Sequence, residues 1–207
     1  MSLRALALYT AALLALLALS AFGPADRTTW FLEVAPVMVV LPLLWTTRAR
    51  HPLTPLLYAL VFAHCAVLML GGAYTYAQVP AGFWAQEALA LSRNPYDKLG
   101  HFMQGFVPAI AAREILLRGA YVNGRRMLAF LVVCVVLAVS ASYELIEWAA
   151  ALGLGQGADE FLGTQGDPWD TQWDMFTALL GALTAQLVLA RAHDVQVARI
   201  DSARPRT

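Results

Sequence analysis

The chain has 207 residues, is 59% hydrophobic and only 14% charged, and has a mean hydropathy of +0.59. An ordinary soluble domain is about 45–50% apolar and about 25% charged, and covers its surface with polar side chains that this chain lacks. A soluble globular domain and a disordered chain are both excluded, and lipid is expected to cover the outside. Fourteen basic and fourteen acidic residues cancel, so there is no electrostatic footprint for nucleic acid.

A helix crosses about 30 Å of hydrocarbon with about 20 residues. Six segments meet that length: residues 5–22, 30–47, 55–78, 99–117, 127–150 and 173–190. The first is expected to be an uncleaved helix stopped by Gly23-Pro24, although Arg4, Ala18 and Ser20 leave a cleaved signal peptide as the alternative. The second contains Pro36 and Pro42, which neighbouring helices accommodate in a membrane at the expense of kinks. Residues 81–92 (AGFWAQEALALS) suit a short interfacial helix with Phe83, Trp84 and Leu91 on the membrane. The fourth segment is the most polar, with His101, Gln104, Pro108, Arg113 and Glu114. Cys65 and Cys134 each lie in an apolar run and read as small buried hydrophobes. The expected architecture is all-α: a polytopic membrane bundle of six transmembrane helices in one domain, residues 1–192. A polar cytoplasmic tail, residues 193–207, is expected to be mostly mobile.

Basic residues set the orientation. With both termini in the cytoplasm, only Arg27, Arg93 and Lys98 fall outside, and the other eleven lie inside. Polar groups then gather at the outer ends of the helices. Asp97 and His101 are four apart, with Gln104 three further on, and Glu144 and Glu147 are three apart; such spacings share a helix face. Asp170 and Asp174 open the sixth segment, and Asp159, Glu160, Gln165 and Asp167 lie in the loop before it. That loop holds five glycines, Trp169 and Trp173, and reads as a structured re-entrant or capping loop.

A charge at mid-bilayer costs about 2.5–3.5 kcal/mol on insertion scales, so Glu144 and Glu147 are expected to face inward, toward His101 and Asp174. Close carboxylates need a proton, a counter-charge from Arg93, Lys98 or protonated His101, or a cation between them. Oxygen ligands with one imidazole would suit Mg²⁺, Mn²⁺ or Zn²⁺. The candidate catalytic or metal-ligating residues are therefore His101, Glu144, Glu147 and Asp174. Asp97, Gln104, Gln165, Asp167 and Asp170 are candidate ligand-binding residues. Simpler readings stand beside these. Asp167 and Asp170 suit helix capping, Glu33 and His64 suit structural roles, and Arg113 and Glu114 suit a snorkelling anchor. Arg118, Arg125 and Arg126 mainly mark topology and would meet anionic headgroups.

Three segments, NPYDKLGHFMQGFVPAIAAREILLR (94–118), SYELIEW (142–148) and FLGTQGDPWDTQWDM (161–175), resemble the YjdF family of bacterial inner-membrane proteins over nearly the whole chain. More weakly, the order of Asp97–Phe102, Glu144–Glu147 and Asp170–Asp174 is similar to VanZ-type membrane proteins, which are associated with cell-envelope and glycopeptide-resistance roles; the GTQGDPWDTQ insertion departs from them. The resemblance implies an inner-membrane location and six helices, and implies no reaction. Three functions stay open: an enzyme acting on a lipid-linked or headgroup molecule at the outer leaflet, a proton-coupled carrier, and a sensor or scaffold whose polar cluster is structural. The bilayer is the expected partner, with a lipid or envelope molecule as ligand.

Overall fold

The structure, a computed structural model, describes residues 2–154 and 164–202. Seven helices and no strand occur among them: α1 (Leu3–Ser20), α2 (Arg27–Thr47), α3 (Pro55–Ala73), α4 (Pro80–Ala88), α5 (Tyr96–Arg118), α6 (Arg125–Leu154) and α7 (Asp170–Ser202). Local chemistry places the starts. Ser2, Asp26 and Thr54 each accept a backbone N–H three residues on, satisfying a donor that the first turn leaves unpaired. The bond from Thr29 to Asp26, 2.7 Å, holds that carboxyl below its ordinary range. Gly23, at φ +74°, turns the chain between α1 and α2, a conformation glycine adopts without steric penalty.

Five helices, α1, α2, α3, α6 and α7, are long and apolar enough to cross a membrane. The molecule is a polytopic helical membrane protein. Its large apolar side chains outside the core, such as Leu8, Val39, Phe130, Ile146 and Leu187, are exposed, as lipid-facing positions must be. Helix α5 is 23 residues long but too polar to belong to that set, and it is also the most buried helix in its surroundings, wedged among α3, α6 and α7. Cys65 is buried as expected; Cys134 is not, and lies exposed on α6, where a thiol is apolar enough to face lipid.

The tightest contact in the bundle joins α5 to α7. On α5 the residues Asp97, His101, Gly105 and Ala109 recur every fourth position, and on α7 so do Asp170, Asp174, Ala178 and Ala182; all eight are buried. Rows at this spacing form the ridges that interlock between helices, and small residues let membrane helices approach closely. A methyl group on Gly105 would run into the Ala178 carbonyl, and one on Gly181 into the Phe102 carbonyl. The small halves of the two ridges therefore fix the register in which their acidic halves meet.

Two expectations are corrected at the opposite end. Glu114 and Arg113 do not snorkel: they are 0% and 5% exposed. Glu114 accepts from the Thr54 hydroxyl (2.7 Å), the Thr54 N–H (3.1 Å) and Arg118 (2.8 Å), and contacts His193 Nε2 at 3.1 Å. Arg113 pairs with Asp194 at 2.5 Å. Each charged group here has an oppositely charged or hydrogen-bonding partner inside the bundle, so neither side chain needs to reach out to the headgroups. For the same reason residues 193–202 are not a mobile tail: α7 continues through Ser202, with His193 fully buried and Val197 nearly so. Residues 203–207 lie outside the described part.

Replacing Gly181 by Leu is expected to destabilise the protein by about 1–3 kcal/mol or more, the usual result of overpacking, seen as a lower midpoint of thermal unfolding in detergent. Gly153→Leu, where nothing lies within 4 Å, is expected to leave the midpoint nearly unchanged; equal effects would show that the α5–α7 approach is not tight.

Candidate functional site

Helix α5 begins at Tyr96, early enough to put Asp97 and His101 one turn apart on one face. His101 Nε2 lies 3.4 Å from Asp97 Oδ1 and 3.6 Å from Asp174 Oδ1. His101 Nδ1 lies 3.1 Å from Gln104 Oε1 and 3.8 Å from Glu144 Oε1. Oxygens thus face both ring nitrogens, and the imidazole is placed to hold or pass a proton. Glu144 also lies near the Thr171 side chain at the start of α7.

Counter-charge comes from two residues ahead of or within the first turn of α5. Lys98 Nζ reaches Asp174 at 2.6 Å, Asp170 at 2.8 Å and Asp97 at 3.3 Å. Arg93 reaches Asp170 at 2.7 Å and Asp167 at 3.4 Å. Burial works against the Arg93 charge, but the bond to Asp170 and the charges of Asp170, Asp167 and Asp97 together outweigh it and raise the guanidinium above its ordinary value. Asp97, His101 and Asp174 each offer a ligand atom within 4.8 Å of the others, a donor set that suits a divalent cation. The ammonium of Lys98, touching two of those carboxylates, already occupies the electrostatic role such a cation would fill.

The loop before α7 is docked by an amide clamp. Gln165 Oε1 accepts from the Asn94 N–H at 3.2 Å, and Gln165 Nε2 donates to the Asn94 carbonyl at 3.0 Å. Arg93 Nη1 adds a bond to the Thr164 carbonyl at 2.7 Å. The side chain of Gln165 is thereby engaged with backbone, and Asp167 accepts from the Trp169 N–H at 2.9 Å. These two hold the loop in place, while Asp170 and Asp174 reach the centre of the cluster. Asp159 and Glu160 lie outside the described residues.

A cavity of about 310 Å³ opens beside His101, within the size range of ligand pockets. One end is polar, with Glu33, His64, Tyr76, Asp97, His101, Gln104, Tyr143 and Glu147; the other is an apolar shaft of Pro36, Val40, Val61, Val107, Pro108, Ala111 and Val139. Glu33 and His64, expected to be structural, therefore line the same space as His101. Glu33 lies beside Tyr76 and Tyr143 on that wall. Sequence spacing offered no sign of this, because Glu33 and His64 are isolated polar residues on otherwise apolar helices.

The family described as "Predicted membrane protein (DUF2238)" matches residues 5–195. The chain belongs to this DUF2238 family. It is 67% identical over 174 residues, 84% of this chain and 83% of the relative, to "Inner membrane protein YjdF" of Escherichia coli (strain K12). No solved structure gives a significant match. The match, with the apolar helices, makes this DUF2238 chain a multi-pass inner-membrane protein.

Of the residues singled out from the sequence, the DUF2238 fold brings His101, Asp97, Gln104, Glu144, Asp170 and Asp174 into one connected cluster and sets Glu147 on the wall of the adjoining cavity. It adds Lys98 and Arg93 as the balancing cations. Lys98→Met is expected to destabilise the protein, and Asp174→Asn in the same chain to recover part of the loss. A double-mutant cycle by unfolding should give a coupling of about 0.5–3 kcal/mol; strictly additive effects would show that this ion pair does not hold α5 to α7.

Proposed function

We propose that this protein binds an amphiphilic, lipid-linked or envelope molecule, with the polar head at the His101 end of the cavity and the apolar part along the shaft. The observation that carries the reading is the continuity of the two surfaces: one cavity joins buried carboxylates and imidazoles to a wall of Val40, Val61, Val107, Ala111 and Val139. Binding pockets place a few convergent polar groups in mostly apolar walls in this way. Within the site, His101 is the group suited to general acid–base work on a bound head, with Asp97 orienting its ring.

In this reading α5 is a sixth span, its polar groups satisfied by neighbouring helices rather than by lipid. Eleven of the fourteen basic residues fall on one side, which supports termini in the cytoplasm and a site facing the periplasm. A through-path is less well supported. The polar groups of α5 beyond Ala111 are engaged with one another, as Glu114 is with Thr54, Arg118 and His193. A divalent cation on Asp97, His101 and Asp174 is the second reading, favoured by the closeness of their ligand atoms; it requires Lys98 to move away.

Purified wild-type protein is expected to carry an amphiphile at about one molecule per chain, detected by native mass spectrometry in mild detergent. Ala111→Phe, which fills the shaft, is expected to lose most of it while the protein stays folded; undiminished retention would overturn the shaft as the binding place. The orientation is checked separately. A fluorescent protein fused after Thr207 should glow in cells, and alkaline phosphatase fused after Ser92 should be active; the reverse pattern would put the site on the cytoplasmic face.

A further inference from the structure

Building on the amphiphile-binding reading, we infer that the occupant is a cationic amphiphile, an amine attached to an apolar chain, and that it reaches the cavity sideways from the bilayer between α2 and α6. The head assignment comes from unbalanced charge. Arg93 and Lys98 are taken up by Asp97, Asp167, Asp170 and Asp174. Glu33 and Glu147, 6% and 7% exposed, are on the cavity wall, and among the described residues no Arg or Lys pairs with them. His101 is the basic group that acts on both, and two buried carboxylates sharing one imidazole favour a further cation between them.

Two further observations mark the polar end as unfinished. His64 Nε2, on the cavity wall, has no hydrogen-bond partner among the described residues, and Glu144 Oε1, more than nine-tenths buried behind that wall, has only His101 Nδ1 facing it at 3.8 Å. Buried polar atoms are nearly always paired, so an acceptor left open on the cavity wall at His64 suits a donor brought by a ligand. An ammonium supplies three N–H donors and a positive charge together. The rings of Tyr76 and Tyr143 add faces that attract cations. A phosphate or carboxylate head would meet like charge in the same place.

The route comes from packing. The cavity is bounded by Glu33, Pro36 and Val40 on α2 and by Val139, Tyr143 and Glu147 on α6. Helix α2 packs on α3, and α6 on α5 and α7, but α2 and α6 do not form an extensive contact with each other. Val139 lines the cavity and is 43% exposed. With little contact between α2 and α6 and apolar Val40 and Val139 on either side, an apolar chain can enter there without crossing a polar layer.

The test uses the full-length protein in nanodiscs of phosphatidylcholine, titrated with dodecylamine, dodecanol and dodecyl phosphate. Dodecylamine is expected to bind about tenfold or more tightly than dodecanol, a difference of about 1.4 kcal/mol, and dodecyl phosphate most weakly. The double variant Glu33→Gln with Glu147→Gln should bring the amine and the alcohol to similar affinities, with an unfolding midpoint showing that it is folded. Val139→Trp should slow dodecylamine association about tenfold. If dodecanol binds as tightly as the amine, the cationic head is wrong while the amphiphile reading stands. If none of the three binds, both fail. An unchanged association rate in Val139→Trp would overturn the lateral route.

Discussion

Close approach of α5 and α7 is the constraint on which the rest of this molecule depends. Two rows of residues at four-residue spacing interlock, and each row is small at one end and ionisable at the other. Gly105, Ala109, Ala178, Gly181 and Ala182 bring the backbones together. That closeness carries Asp97 and His101 against Asp170 and Asp174. In a bilayer, lipid is as apolar as leucine, so helices associate through such close packing and polar contacts rather than through burial of apolar surface. The site is thus a consequence of the helix contact, and its ion pairs in turn hold the upper part of that contact.

The two ends of α5 solve the problem of buried charge differently. At the Glu114 end each charge finds a partner: carboxylate with Arg118, His193 and Thr54, guanidinium of Arg113 with Asp194. Removing one member of such a pair would strand the other. At the His101 end, acids outnumber cations and a cavity lies alongside. The contrast is the excess of acids and the open space at the His101 end. Burial is nearly the same at both ends.

Lys98 and Arg93 also explain how so many carboxylates share one site. Asp170 accepts from both, and Lys98 bridges three acids. A network of this kind spreads positive charge over several acceptors and orders the side chains cooperatively. Gln165 and Asn94 complete the frame by pairing a side-chain amide with a backbone amide group, which pins the segment leading into α7 to the segment leading into α5. The two ridges are therefore joined above as well as below the cluster.

Much of this was legible in the residues alone. Hydropathy determined that the chain is a helical membrane protein, because the bilayer admits few other ways to satisfy a backbone. Four- and three-residue spacings determined that Asp97 with His101, and Asp170 with Asp174, share faces, since helix periodicity is local. Which faces meet is not local. That Glu33 and His64, single polar residues on α2 and α3, turn toward His101 was decided by packing, as was the burial of Glu114 and Arg113, whose partners Thr54, His193 and Asp194 lie far away in sequence. The helical continuation through Ser202 has the same cause: its polar sequence gives no core of its own, and buried contacts with α5 hold it.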